Sequence, residues 1–116
     1  MPPYPRFMDL KEPVSLDTPI AADRLTRGQP KSGTISTSEN NDKKFYCGQW
    51  AADVGAWRVS YTEEELCVIL SGSGALIAED GTRYPFKAGD AFVVPEGFSG
   101  LWENETEVRK IYAIVE

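Results

Sequence analysis

The sequence predicts an all-β protein, a sandwich or barrel formed by one domain of 116 residues. Three observations support this fold class. From Lys43 onward, short segments rich in branched and aromatic residues follow one another at strand length. Glycine, proline and aspartate separate these segments and predict turns. No stretch has the apolar spacing of a convincing amphipathic helix, so antiparallel strands are expected to supply the core.

The first part of the chain, residues 1–42, is predicted to be an extended arm. It holds most of the prolines and shows little periodicity. Within it, residues 21–27 could form one helical turn, and residues 31–42, which are rich in serine, threonine, glycine and asparagine, are predicted to be a loop. We expect this arm to lie across the barrel surface or a partner subunit, and not to fold as a separate domain.

Residues 43–116 are predicted to form the barrel. Eight strands are expected, in order Phe45–Trp50, Ala56–Tyr61, Glu65–Ser71, Ala75–Glu79, Arg83–Lys87, Ala91–Val94, Ser99–Glu103 and Val108–Val115. Asp80-Gly81, between two apolar strands, is a strong signal for a tight hairpin. Glu65 stands at the start of an apolar strand, where a carboxylate is costly to bury unless it is paired, ligates a metal or acts as an acid or base.

The composition excludes several classes of function. The chain has 18 acidic and 12 basic residues and a net charge of −6, which argues against binding to nucleic acid or to an anionic membrane. It has no histidine, so Ser-His-Asp and Cys-His nucleophile systems and histidine metal sites are excluded. Cys47 and Cys67 lie in apolar, strand-like surroundings and are expected to be reduced thiols in the core, not a disulfide. Because no secretory signal or membrane span is visible, a cytoplasmic location is expected.

Two motifs resemble those of the cupin superfamily. From Gly89 through Pro95-Glu-Gly97 to Asn104, the spacing is that of the second cupin motif, with Gly100 where a histidine is usual. Glu65 and Gly72 have the spacing that ends the first motif. This resemblance implies a conical jelly-roll barrel, also called a double-stranded β-helix, with a small-molecule pocket inside it. It also implies a homodimer.

More narrowly, four segments resemble the cupin branch named for (S)-ureidoglycine aminohydrolase. They are Trp57–Tyr61, Gly89-Asp90, Phe98–Trp102 and Val108–Tyr112. This narrower resemblance implies an aminohydrolase that depends on a metal.

The residues at the metal-ligand places of cupins argue against that metal. Carried over by position, those places hold Val59, Tyr61, Glu65 and Gly100. Valine and glycine have no ligating side chain, and tyrosine is a poor ligand near neutral pH because its pKa is high. An unusual ligand set that includes Glu63, Cys67 or Cys47 stays open. We expect a protein without metal or other cofactor.

The alternation of side chains along strands predicts which residues surround Glu65. If Glu65 points inward, every second residue of its strand and the matching residues of the other strands do too. From these residues we predict catalytic roles for Glu65, Tyr61 and Lys110. The predicted substrate-binding residues are Trp57, Val59, Cys67, Gly100, Trp102, Asn104 and Tyr112. Apolar walls with a few convergent polar groups are typical of small-molecule sites.

Three functions remain open at this point. The first is a metal-free enzyme in which Glu65 is the general acid or base, with Tyr61 and Lys110 placing a small polar metabolite such as a ureido compound, a sugar or an amino acid. The second is a binding module without turnover, and the third is a metal-dependent, aminohydrolase-like enzyme. Structural interpretations also remain, since Glu65 and Lys110 could form a buried ion pair without function, and Trp57 and Trp102 could be core residues.

Overall fold

Eleven β-strands form the computed structural model, which describes residues 3–116. The first two residues of the predicted arm lie outside the described residues. The strands are β1 (Thr18–Pro19), β2 (Leu25–Arg27), β3 (Lys31–Asn40), β4 (Phe45–Ala52), β5 (Gly55–Ser60), β6 (Glu64–Ser71), β7 (Ser73–Ala78), β8 (Arg83–Lys87), β9 (Ala91–Val94), β10 (Ser99–Asn104) and β11 (Val108–Val115).

The strands form two antiparallel sheets that face each other. The first sheet has the order β1-β3-β4-β11-β6-β9, and the second has the order β2-β5-β10-β7-β8. From β4 to β11 the chain crosses repeatedly between the sheets, so that β6, β9 and β11 belong to one sheet and β5, β7, β8 and β10 to the other. This arrangement confirms the predicted all-β class and jelly-roll barrel.

The core lies between the two sheets and follows the alternation of side chains. In β6, Cys67 and Ile69 are fully buried, whereas Leu66 between Glu65 and Cys67 is 45% exposed. The other buried side chains of this cluster are Ile20, Ala52, Trp57, Leu76, Phe86, Val94, Trp102 and Val108. The side chains of β6 that the sequence predicted to point inward are therefore the ones that do.

The eight strands predicted after residue 43 all occur, with ends shifted by at most two residues. The predicted hairpin at Asp80-Gly81 joins β7 to β8. Gly81 has a φ of +89°, a conformation that glycine adopts without steric cost. The Asp80 carboxylate accepts a hydrogen bond from the backbone N–H of Thr82 at 2.9 Å, which further stabilises the turn.

The prediction of a loop over residues 31–42 is wrong. Most of it is β3, a ten-residue strand that pairs with β4 from Ser32 to Asn40. Its serines and threonines lack the apolar alternation of a half-buried strand, but one face of β3 borders an open cavity between the sheets and needs no apolar side chains. The helical turn considered for residues 21–27 is instead a hydrogen-bonded turn followed by β2. In the described part of the chain, no helix could span a membrane.

Residues 9–15 pack on the outer face of the first sheet. Gln49 of β4 is buried there and donates a hydrogen bond from Nε2 to the carbonyl oxygen of Asp9 at 3.1 Å. Gly33 of β3 lies directly beneath this segment, because a Cβ atom at that position would collide with the carbonyl oxygen of Ser15. The division of the chain into an arm (1–42) and a barrel (43–116) stays a prediction. Among the described residues, β1, β2 and β3 are strands of the two sheets.

The rest of the outer face of the first sheet is apolar and exposed. Leu66 pairs with Val93, and Val115 pairs with Phe45, and these four side chains are 39–56% exposed. We call this surface the outer apolar face, and it consists of Phe45, Cys47, Leu66, Val68, Ala91, Val93, Ile111, Ala113 and Val115. Cys47 is thus not the core thiol that the sequence predicted, since it lies half-buried on this face, while Cys67 is in the core and both are free.

Candidate functional site

A cavity of about 550 Å³ opens between the two sheets. Its walls come from β3, β4, β6 and β11 of the first sheet and β5 and β10 of the second, and Ile20 and Arg24, which precede β2, also line it. Aromatic side chains form much of this wall, and they are Tyr46, Trp50, Trp57, Tyr61, Trp102 and Tyr112. The cavity therefore has the size and composition of a small-molecule site.

Glu65 lies in the wall of this cavity and is 5% exposed. Its position follows from β6, where it takes the first inward place after the exposed Glu64. Tyr61 donates a hydrogen bond from its hydroxyl to Oε1 of Glu65 at 2.8 Å. The Lys110 ammonium lies 2.9 Å from Oε2, and both side chains of this ion pair are more than nine-tenths buried. The carboxylate is thus paired and hydrogen-bonded, as a buried charge requires.

Lys110 is held from several sides. It follows a register shift in β11 and pairs with Trp50 of β4. Its ammonium lies 4.6 Å from the ring centroid of Trp50 and 4.3 Å from that of Trp102, within the range of cation–π contacts. It also donates a weak hydrogen bond to Sγ of Cys67 at 3.6 Å. This lysine is therefore a fixed, stabilised cation and not a mobile surface group.

The surroundings keep Tyr61 and Cys67 protonated. Burial, followed by the nearby charge of Glu65, raises the pKa of the Tyr61 hydroxyl far above its ordinary value. Tyr61 is consequently a hydrogen-bond donor at neutral pH. Burial also raises the pKa of the Cys67 thiol to about 12, although the Lys110 ammonium partly opposes this shift. A neutral thiol is a weak nucleophile, so Cys67 has no nucleophilic role here.

Trp102 is fixed by Asn104 at the end of the same strand. The indole N–H donates to Oδ1 of Asn104 at 2.7 Å. The amide of Asn104 donates in turn to the carbonyl oxygens of Ala52 and Asp53, each at 3.2 Å. Since Ala52 ends β4 of the first sheet and Asn104 ends β10 of the second, this network links the two sheets behind the cavity.

Comparison with known proteins identifies the family. The model of the EutQ-like cupin domain matches residues 39–112, more than half of the chain. This chain belongs to that cupin family. No curated protein matches the sequence.

Solved structures agree with the EutQ-like cupin fold. The EutQ protein of Clostridium difficile is 15% identical, with a TM-score of 0.67 over 74% of this chain and 63% of its own. A DUF861 family protein from Pseudomonas syringae is 20% identical, with a TM-score of 0.83 over 93% of this chain and 46% of its own. A DUF861 family protein from Thermotoga maritima is 27% identical, with a TM-score of 0.55 over 68% of this chain and 96% of its own. This cupin chain thus spans about half to two thirds of the first two proteins.

Most of the residues predicted for the site line the cavity of this EutQ-like cupin domain. They are Trp57, Val59, Tyr61, Glu65, Trp102, Lys110 and Tyr112. Tyr61, Glu65 and Lys110, the three predicted catalytic residues, are in direct contact. Trp57 and Trp102 belong to the core as well as to the cavity wall, so the two interpretations of these residues are compatible. Their roles in binding or catalysis stay predictions.

Among the described residues, three predicted binding residues lie outside the cavity wall. Cys67 is fully buried beneath Lys110, and Asn104 is fully buried in its network with Trp102. Gly100 has no side chain, and it allows a close approach to the backbone of β7, since a Cβ atom would collide with the carbonyl oxygen of Ile77. These residues share the inward face, as predicted, but they support the wall and do not form it.

Several residues of the wall were not predicted. Trp50 lies in a predicted strand and lines the cavity. The sequence does not show which strand pairs with this one, so alternation alone could not decide whether Trp50 points inward or outward. Its contact with Lys110 and its register opposite that residue decide the face. Ser32, Thr34 and Glu39 were missed because β3 was predicted to be a loop. Ile20 and Arg24 reach the cavity from the arm, and no local pattern in the sequence indicates this.

The residues of the cavity do not fit the divalent metal that many cupins hold. Val59 and Gly100 stand at two of the four ligand places and offer no donor, and Tyr61 keeps its proton. The carboxylate of Glu65 is already paired with the Lys110 ammonium, whose charge would repel a metal ion bound there. Between residues 3 and 116, no three histidine, cysteine, aspartate or glutamate side chains are grouped so that they could hold a metal.

Proposed function

We propose that the cavity binds a small polar metabolite and that Glu65 acts on it as a general acid or base, without a metal. The observation that carries this proposal is the cluster of Tyr61, Glu65 and Lys110 in the cavity wall. Buried ionisable groups that converge in a concave, aromatic pocket are typical of functional sites. Oxygen- or nitrogen-rich metabolites, such as ureido compounds, sugars and amino acids, match its polar groups.

The cluster leaves Glu65 able to contact a ligand. Each carboxylate oxygen has two lone pairs, and Tyr61 and Lys110 use one on each oxygen. The remaining lone pairs can accept a proton or a hydrogen bond from a bound molecule. Tyr61 and Lys110 hold the carboxylate in place, and the Lys110 charge compensates for its burial. A general base needs this combination of fixed geometry and reach.

The test is a comparison of binding and turnover in two glutamate variants. A metabolite library is screened against the wild-type protein by ligand-observed NMR, and each bound compound is then followed for chemical change. We expect Glu65→Gln to lower the turnover about 10²- to 10⁴-fold while changing the affinity only a few-fold. Glu64→Gln is the matched control, because Glu64 is the exposed neighbour on β6 and should leave both unchanged.

The other outcomes separate the alternatives. Turnover that survives in Glu65→Gln contradicts the role of Glu65. A compound that binds and is never converted favours a binding module, for which the engagement of both Glu65 oxygens by fixed donors is the supporting observation. The metal content of the same protein, purified without chelator, is measured by elemental analysis. Near-stoichiometric manganese, iron, nickel or zinc would favour the aminohydrolase-like enzyme.

A second copy of this chain is the partner that we propose for the outer apolar face. The face spans four neighbouring strands and two or three alternate residues of each, roughly 15 Å by 13 Å. Its charged neighbours, Glu64 and Arg109, lie at the two ends of β6 and β11. A twofold axis would therefore bring two uncharged centres together, without like charges in contact. This apolar centre of roughly 200 Å², extended by the polar rim around it, would form the core of an interface of the standard ~800 Å² per partner.

A further inference from the structure

The charges of the cavity wall are unequal once the buried ion pair is set aside. Glu65 and Lys110 neutralise each other at 2.9 Å. The wall then retains the carboxylates of Glu39, Glu63 and Glu116 and the guanidinium of Arg24. None of these four groups forms an ion pair with another described residue. The unpaired charge in the cavity is therefore predominantly negative, as is the whole chain at −6.

The three carboxylates without an ion pair among the described residues lie at the same end of the cavity. Glu39 pairs with Tyr46 across β3 and β4, Tyr46 pairs with Ile114, and Ile114 pairs with Glu65, so these residues form one row across the first sheet. Glu63 is two residues before Glu65. The backbone N–H of Glu116 donates to the carbonyl oxygen of Lys44, just before β4. We call this end, defined by Glu39, Glu63 and Glu116, the acidic end.

Aromatic rings share the acidic end with these carboxylates. Tyr46 is in the same row, Tyr61 is bonded to Glu65, and Tyr112 lies one inward position from Ile114 on β11. Gly48 opposite Tyr112 leaves space for this ring, since a Cβ atom there would lie only 2.9 Å from its hydroxyl oxygen. Tyrosine rings present a negative face, and a cation near them is stabilised by the ring as well as by the carboxylates.

The basic groups of the wall do not cancel this arrangement. The Lys110 ammonium is paired with Glu65 and covered by the rings of Trp50 and Trp102. The carbonyl oxygen of Arg24 accepts a hydrogen bond from the backbone N–H of Arg58 at 2.8 Å, and Arg58 is three residues before Tyr61. This level is about 10 Å from the acidic end along the strand direction. Arg24 thus lies part-way along the cavity, and the three carboxylates of the acidic end outnumber its single charge.

We propose that the cavity selects a small organic cation, a primary or quaternary amine, whose charged group lies at the acidic end. This inference rests on the proposed binding function and names the chemical class of its ligand. Carboxylates around a partly enclosed cavity raise the local concentration of cations, and the tyrosine rings at the same level supply cation–π contacts. Arg24, level with Arg58 and about 10 Å from the acidic end, is placed to contact a polar or anionic group in the rest of the ligand.

The test compares three probes of nearly identical shape and different charge. Choline is the cation, 3,3-dimethylbutan-1-ol is its neutral carbon isostere, and 3,3-dimethylbutanoate is the anion. Binding to the whole wild-type protein is measured by titration with NMR detection of the tryptophan indole signals. We expect choline to bind at least about tenfold more tightly than the alcohol, and the anion to bind more weakly than both. High salt should weaken choline binding and leave the alcohol unchanged.

Variants with the same loss of one charge locate the effect. Glu39→Gln and Glu63→Gln should each weaken choline binding about three- to tenfold and leave the alcohol unchanged, which a merely structural role would not do. Glu79→Gln is the control, because Glu79 follows β7 and does not line the cavity. Its affinity for choline should equal that of the wild type.

The outcomes distinguish this inference from the function on which it rests. If the alcohol or the anion binds as tightly as choline, the cavity is a binding site but the inferred ligand class is wrong. If Glu79→Gln weakens choline binding as much as Glu39→Gln does, the preference for a cation comes from the net charge of the whole protein, and the acidic end is not the site. If none of the three probes binds while a metabolite of the library does, the inferred ligand class is wrong and the proposed binding function stands. If no metabolite of the library binds either, both are overturned.

Discussion

Cys67 makes the stability of the protein depend on pH in the alkaline range. Burial raises the pKa of its thiol from 9.0 to about 12 in the folded protein. Between these values the unfolded chain loses the proton while the folded protein keeps it, so the unfolded state binds fewer protons. The free energy of unfolding must then fall as the pH rises, by about 1 kcal/mol from about pH 8 to about pH 10. Urea unfolding at several pH values measures this change.

Two cysteine variants assign that pH dependence. Cys67→Ala lowers the stability through the lost packing, but its free energy of unfolding should fall less between about pH 8 and about pH 10 than that of the wild type, because only the raised pKa values of the Tyr61 and Tyr112 hydroxyls then contribute. Cys47→Ala keeps the buried Cys67 thiol, so its free energy of unfolding should fall with pH in parallel with that of the wild type. An equally steep fall in Cys67→Ala would show that another group is responsible.

Single residues also show how far the sequence alone could predict the site. The contact of Tyr61, Glu65 and Lys110 followed from alternation once a strand and one inward residue had been chosen. The position of Asn104 behind the cavity wall could not be predicted in this way. Alternation predicts that its side chain points inward, but not whether that side chain reaches the cavity. Asn104 points inward, but its side-chain amide is hydrogen-bonded to Trp102 and to backbone carbonyl oxygens and is not available to a ligand. Such partners depend on which strands meet, and the local sequence does not contain that information.

At the scale of elements, β3 is the part of the fold that local sequence could not predict. Its composition is that of a loop, and it is a strand because β4 offers a complete row of backbone partners. The strands after residue 43 were predictable because each carries branched or aromatic residues between turn residues. A strand stabilised by its neighbour, with a polar inner face and a covered outer face, has no such pattern.

The covered face of β3 allows a prediction about the arm. A side chain at Gly33 would meet the carbonyl oxygen of Ser15, so Gly33→Val should displace residues 9–15 and lower the free energy of unfolding by about 1–3 kcal/mol. Trypsin should then cut faster after Lys11. Limited proteolysis with mass spectrometry, together with urea unfolding, measures both effects.

Lys31→Val is the matched control for that variant. Lys31 lies two residues earlier in β3, on the same face, and is exposed, so valine fits there without moving the arm. Unchanged protection of Lys11 in Gly33→Val would mean that the arm tolerates a side chain beneath it and is not held by this close contact.

At the scale of the whole molecule, the jelly-roll barrel was predictable from the number of strands, the turns and the two motifs that include Glu65 and Pro95. Those motifs indicate a barrel with a cavity, and the family match over residues 39–112 agrees. The outer apolar face was not predicted. It appears only when the register places Leu66 beside Val93 and Val115 beside Phe45, so that exposed side chains of four strands become one surface.

That surface gives the prediction for the assembly. Four large apolar side chains exposed on one sheet face are unusual for a monomer, and burial against a second copy would remove them from water. Val93→Lys should place an ammonium within this interface, on its edge strand β9, where its desolvation weakens the dimer at least about 100-fold. Size-exclusion chromatography with light scattering, over a range of protein concentrations, measures the mass.

Val54→Lys makes the comparison decisive, because it is the same substitution at an exposed valine outside the outer apolar face. Val54 is 48% exposed, close to the 56% of Val93, and it lies between β4 and β5. We expect the wild type and Val54→Lys to have twice the mass of one chain, and Val93→Lys to have the mass of one chain. The thermal stability of Val93→Lys should equal that of wild-type protein diluted until it is monomeric. A wild type that is monomeric at every concentration, or a Val93→Lys that remains dimeric, would show that this face does not join two copies. The exposed apolar side chains would then require a different partner, since water alone does not stabilise such a surface.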